Sequence, residues 1–183
     1  GDVNGDSLSD LILATSVSSY NGAFSGSAWV IFSSLLDDDG FTTGNNRSLG
    51  GATNYNIRYD GEAGDFFAYG GIKIGDVNGD SISDLVLGGS FANNAGALSG
   101  SIWLVFSTLL DDVGATTGNN KLLSTPTNYN IRYDGTGASS RIGFGGSKVI
   151  GDLNGDSLSD LAFGSLANQA WVIYSTLIDD VGT

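Results

Sequence analysis

Three near-identical strings constrain this chain more than anything else in it. GDVNGDSLSDL opens at Gly1, GDVNGDSISDL at Gly75 and GDLNGDSLSDL at Gly151, so the starts lie 74 and 76 residues apart. A fixed period of this length marks a repeat protein, in which each unit buries its apolar surface against its neighbours. The repeat runs well past these strings. SGSAWVIFSSLLDDDGFTTGNN (25–46) matches SGSIWLVFSTLLDDVGATTGNN (99–120), and TNYNIRYDG occurs at 53–61 and again at 127–135. The units therefore span 1–74, 75–150 and a partial 151–183, and both ends read as cut from a longer array.

The repeated string places Asp, Asn, Asp and Asp at relative positions 1, 3, 5 and 9. These are Asp2, Asn4, Asp6 and Asp10, then Asp76, Asn78, Asp80 and Asp84, then Asp152, Asn154, Asp156 and Asp160. An all-oxygen donor set at such spacing suits a hard cation, calcium above all. An EF-hand is excluded. It needs Gly at position 6 and a bidentate Glu at position 12. Ser7, Ser81 and Ser157 stand at the first of these positions, and Leu13, Leu87 and Phe163 at the second.

Each unit reads as four strands: Gly71 to Gly75, Asp84 to Gly89, Ser101 to Ser107 and Tyr129 to Asp134. Val, Ile, Phe, Tyr and Trp fill these runs, and Gly, Asn and Asp separate them. The third strand carries unbroken apolar residues, as in Trp29-Val30-Ile31-Phe32, which implies burial on both faces. The fourth alternates, with Ile131 and Tyr133 on one face and Arg132 and Asp134 on the other. No amphipathic helix is legible. The polar run between the third and fourth strands reads as an excursion at the outer edge, and its Gly-Asn elements as turns.

The loop closely resembles the FG-GAP repeat, the blade unit of integrin alpha-subunit propellers. Phe144-Gly145 and Tyr69-Gly70 stand where that family has its Phe-Gly element, while its Gly-Ala-Pro element is degraded to Gly88-Gly89-Ser90 and Gly164-Ser165-Leu166. The resemblance implies an all-β fold of four-stranded antiparallel propeller blades in tandem, about two and a half of them, set in a larger propeller or a filament. It also implies calcium held by the four side chains of each loop, together with the backbone carbonyls of Leu8, Ile82 and Leu158. The family's usual Gly after the third ligand is Ser in all three loops, and Ser fits a left-handed turn less well.

The net charge of −13 argues against nucleic acid and against anionic membranes, since both are bound through Lys and Arg. Three divalent ions would bring it to −7. No run approaches the roughly 20 apolar residues of a membrane span. Cys and His are absent, and the sole Glu, Glu62, has Thr136 in its place in the other full unit. A nucleophile–base arrangement is hard to build from this set, so no enzyme is expected. The expected role is extracellular: a calcium-stabilised adhesion or assembly module whose partners are further repeats or other copies of the chain. A glycan-binding module and the propeller portion of a larger secreted enzyme are the alternatives. Trp29, Trp103 and Trp171 read as core, the Asp pairs after the third strand as solvated turns, and Asn46-Arg47-Ser48 as an N-glycosylation triplet.

Overall fold

The structure, a computed structural model, describes residues 1–36, 47–110, 117–144 and 148–178, with 148–150 described by backbone alone. Its elements in chain order are β1 (Leu11–Thr15), β2 (Ser27–Ile31), α1 (Ser33–Leu36), β3 (Ile57–Asp60), β4 (Ile72–Gly75), β5 (Asp84–Gly89), β6 (Ser101–Val105), α2 (Ser107–Leu110), β7 (Asn119–Leu122), β8 (Ile131–Asp134), β9 (Lys148–Gly151), β10 (Asp160–Gly164) and β11 (Ala170–Ile173). They form three sheets, ordered β1-β2-β3-β7, β4-β5-β6-β8 and β9-β10-β11. The sheets do not close into a ring. No described helix is long and apolar enough to cross a membrane.

The second sheet shows why the apolar runs are continuous. Every residue of β5 and β6 is buried, and successive side chains enter different cores. Leu85, Leu87, Trp103 and Val105 join Val3, Ala28, Val30, Phe32, Ile57 and Tyr59 of the first unit. Val86, Ile102, Leu104 and Phe106 join Leu161 and Phe163 of the third. Side chains alternate across a strand, so a strand between two neighbours must be apolar at every position. At roughly 25 cal/mol per Å² of apolar area, these two cores are the main favourable term in the fold.

Two features depart from the sequence reading. Residues 119–122 are not a turn. They form β7 and pair in parallel with β3 of the preceding unit, with the N–H of Asn119 donating to the Asn56 carbonyl at 3.0 Å. The excursion of one unit thus adds an edge strand to the sheet before it. One-turn helices α1 and α2 also follow β2 and β6, too short to leave a periodic signal in sequence.

The added strand changes the fourth-strand ion pairs. Arg58 and Asp60 pair at 2.9 Å with side chains only 10% and 2% exposed. The same Ile-Arg-Tyr-Asp in β8 has no strand beyond it among the described residues, and its Arg132 and Asp134 are 26% and 24% exposed. One sequence takes two burial states because, among the described residues, β3 has a strand on its outer edge and β8 has none.

Candidate metal centre

Each repeated string folds into one loop that leads into the second strand of its unit: β1, β5 or β10. In the first loop Asp2 accepts from the N–H of Gly5 (2.7 Å) and Ser7 (2.9 Å), Asn4 from Asp6 (3.1 Å), Asp6 from Leu8 (2.8 Å) and Asp10 from Val3 (2.8 Å). Asp76, Asn78, Asp80 and Asp84 repeat all five bonds at 2.7–3.0 Å. Asp152, Asn154, Asp156 and Asp160 repeat them again at 2.5–3.0 Å. Short Asp and Asn side chains favour such turns because they reach backbone N–H groups a few residues on. Leu8, Ile82 and Leu158 occupy one turn position, their N–H groups tied to Asp6, Asp80 and Asp156. Ser7, Ser81 and Ser157 adopt φ of 67°, 71° and 71°, the left-handed backbone expected of that position.

A serine that the sequence reading passed over ties each loop to the next hairpin arm. The hydroxyl of Ser33 donates to Asp6 at 2.9 Å, and its N–H to Asp10 at 2.9 Å. Ser107 does the same for Asp80 (2.6 Å) and Asp84 (2.9 Å), and Ser175 for Asp156 (2.7 Å) and Asp160 (2.9 Å). The signal was present in the recurrence of Phe-Ser, Phe-Ser and Tyr-Ser after the apolar strand.

The loops also stack. A Cβ on Gly5 would stand 3.0 Å from Ile82 of the second loop, and one on Gly79 2.9 Å from Leu158 of the third. Both glycines have positive φ, so the position excludes a side chain twice over. A cleft of about 110 Å³, lined by Asn4, Asp80, Ile82, Ser107 and Thr108, opens between the first two loops.

The electrostatics are unbalanced. Asp10, Asp84 and Asp160 are 8%, 0% and 0% exposed. Burial pushes the Asp84 carboxyl up to about 6; the N–H groups of Ser107 and Val77 oppose this, and the charges of Asp80 and Asp76 add to it. Asp10 is raised in the same way, with Asp6 and Asp2 contributing. Asp6 is lowered, chiefly by the Leu8 N–H, and Asp156 chiefly by the Ser175 hydroxyl. The ion pairs among the described residues are Arg58–Asp60 and Arg132–Asp134, and no loop carboxylate belongs to either.

Among the described residues, no three acidic side chains gather closely enough to hold an ion. The carboxylates face N–H donors instead. The donor chemistry nevertheless fits a hard cation: three carboxylates, an amide oxygen and a peptide carbonyl per loop, with no nitrogen or sulfur donor. An ionised carboxylate offers about four lone-pair sites, so the bonds to N–H groups do not exhaust Asp2 or Asp10.

The remaining candidates separate cleanly. Trp29 and Trp103 are buried, and their indole N–H groups have no hydrogen-bond partner among the described residues. Trp171 packs against Phe163 at 5.7 Å. Tyr69 and Phe144 of the Phe-Gly elements lie ring to ring at 5.8 Å. Asn46 and the acidic residues 37–39, 111–112 and 179–180 lie outside the described residues. Comparison with protein-family models gives no match, and comparison with curated proteins gives none.

Proposed function

We propose that this chain is a calcium-binding extracellular scaffold, built of propeller-blade units of the FG-GAP kind and serving adhesion or assembly. The observation that carries this reading is the threefold recurrence of one loop. Each copy has the same hydrogen bonds, the same serine tie and three carboxylates without a cationic partner among the described residues. The charges of Asp80 and Asp76 add to the cost of ionising the buried Asp84, and a cation at the loop would offset it. Asp2, Asn4, Asp6 and Asp10 with the Leu8 carbonyl, and their equivalents in the other loops, would hold the ion. Calcium would supply charge neutralisation and cross-linking of the turn to the strand. Packed sheets without disulfides gain most from such an ion where calcium is abundant, as it is outside cells.

Thermal unfolding at ~1 mM calcium and in excess chelator tests the proposal. A site of ~10⁻⁴ M affinity contributes about 1.4 kcal/mol, so three contribute about 4 kcal/mol. For a chain of this size that raises the midpoint by about 8–16 °C. No calcium-dependent shift would remove the metal from the reading.

A further inference from the structure

Within this chain, unlike sheet faces meet twice. Val30 and Phe32 of the first sheet pack on Leu85, Leu87, Trp103 and Val105 of the second. Val86, Leu104 and Phe106 of the second sheet occupy the positions of Ile12, Val30 and Phe32 and pack on Leu161 and Phe163 of the third. The same two surfaces therefore form both joints.

Among the described residues, each end of the array leaves one of those surfaces partly uncovered; on the first sheet Trp29 and Ile31 are already buried with Tyr55, Leu35 and Leu49. On the first sheet, Leu11 and Leu13 are each 38% exposed, whereas their equivalents Leu85 and Leu87 are fully buried. A groove of about 400 Å³ lies there, lined by Leu11, Leu13, Ile31, Leu36, Arg47, Leu49 and Asn54. Its second-sheet counterparts Leu110 and Leu123 belong to the joint core. On the third sheet, Leu153, Val172 and Tyr174 are 53%, 49% and 43% exposed, against 0%, 0% and 3% for Val77, Leu104 and Phe106. The loop stack ends the same way. Leu8 is 59% exposed, while no described residue lies within 4 Å of where a Cβ on Gly155 would stand. Ile82 over Gly5 and Leu158 over Gly79 show what fits there.

We infer that a second copy of this chain docks head to tail, its first-sheet face on the third-sheet face of the copy before it, with Leu8 seated over Gly155. The inference rests on the scaffold reading and adds the surface and the partner. Two unlike faces make a heterologous contact, which propagates into a filament or closes as a ring. The internal joints fix the register, and the apolar character of both ends supplies the driving force.

The test uses the full chain and two single variants at exposed positions, Leu13→Glu and Val172→Glu. Mass is followed by sedimentation up to about 100 µM, in calcium and in chelator. The parent chain is expected to grow with concentration. Each variant retains one sound end and one blocked by a charge, so it weakens self-association at least ~10-fold and stays a single chain. Mixed in equal amounts, the variants pair through their sound ends into a two-chain species that grows no further. A parent chain that stays single at that concentration overturns the inference. So does a mixture that stays monomeric, or either variant dimerising alone, which would mean that like faces pair. Calcium titrated calorimetrically into either monomeric variant separates the two readings. Calcium uptake without assembly leaves the metal and removes the joint. Assembly in chelator, with no calcium uptake, leaves the joint and removes the metal.

Discussion

Ser107→Ala is the sharpest probe of the loop architecture. The hydroxyl donates to Asp80 at 2.6 Å from a residue that is 3% exposed, while the Ser107 N–H to Asp84 survives the substitution. A hydrogen bond to a charged group contributes about 1.5–3 kcal/mol. Asp80 is exposed and regains water once the hydroxyl is gone, so the loss falls at the low end, about 1–2 kcal/mol. At this chain length that lowers the unfolding midpoint by about 2–8 °C. Denaturant unfolding in chelator measures it without any metal contribution. A double-mutant cycle with Asp80→Ala should return a coupling of about 1 kcal/mol, since the two groups touch and Asp80 keeps its backbone bond in the serine variant. In calcium the deficit should widen, because Ser107 holds a proposed ligand carboxylate in place. A loss under about 0.3 kcal/mol together with zero coupling would refute the idea that the serine positions the loop.

Other perturbations test other parts of the structure. Asp65, 5% exposed, has its carboxyl pushed up to about 6 by burial, with the Glu62 N–H opposing and the Glu62 charge adding. Its folded value lies above the unfolded 3.8, so its ionisation costs the folded state stability as pH rises from about 4 to about 6, by up to ~3 kcal/mol. Asp65→Asn should match the parent near pH 4, exceed it at neutral pH and flatten the chelator-phase stability profile; an unchanged slope counts against this account. Ser81→Gly should stabilise by about 0.5–1 kcal/mol, since relief of a φ of 71° outweighs the added freedom of the unfolded chain; a net loss in denaturant midpoint would mean that the backbone there is unstrained. Asn119→Pro removes the N–H that joins β7 to β3 and should cost about 2 kcal/mol, with faster hydrogen exchange along β3; unchanged exchange would show that β7 is not what protects it.

What the sequence disclosed depended on how local the cause was. The bounds of β5 were legible because Asp84 and the glycines punctuate a run of apolar residues. Continuous apolarity told correctly that β2 and β6 are covered on both faces, but β11, whose run is as apolar, is covered on one face only, with Val172 49% and Tyr174 43% exposed. β7 was not legible. Asn119-Asn120-Lys121-Leu122 carries little strand propensity, and its conformation is set by the open edge of β3 and by the bond from the Tyr55 hydroxyl to Asn120 at 2.8 Å. The burial of Arg58 and Asp60 follows from that distant strand, so it was hidden for the same reason. In the loops, the spacing named which residues share a turn, but the direction of each carboxylate depends on backbone angles that the spacing does not specify. The serine tie bridges positions 27 residues apart in the first two loops and 19 apart in the third, beyond the reach of any local motif.

Asp84 and Asp160 are both the last acidic residues of their loops and the first residues of β5 and β10. Each is buried where its loop meets a sheet joint. Their carboxylates accept from one N–H within the loop and one beyond the next strand, so loop and hairpin move as one body. Ile82 and Leu158, from the same loops, also pack on the glycine of the loop before. A cation bound on the proposed reading would therefore act on the strand that separates two cores and on the contact between successive units. In a one-dimensional array those nearest-neighbour contacts carry much of the stability. On that reading, metal occupancy and end-to-end docking would be linked quantities. On the two proposals together, calcium that binds the docked loop better would strengthen docking of Leu8 over Gly155, and docking would raise calcium affinity by the same factor.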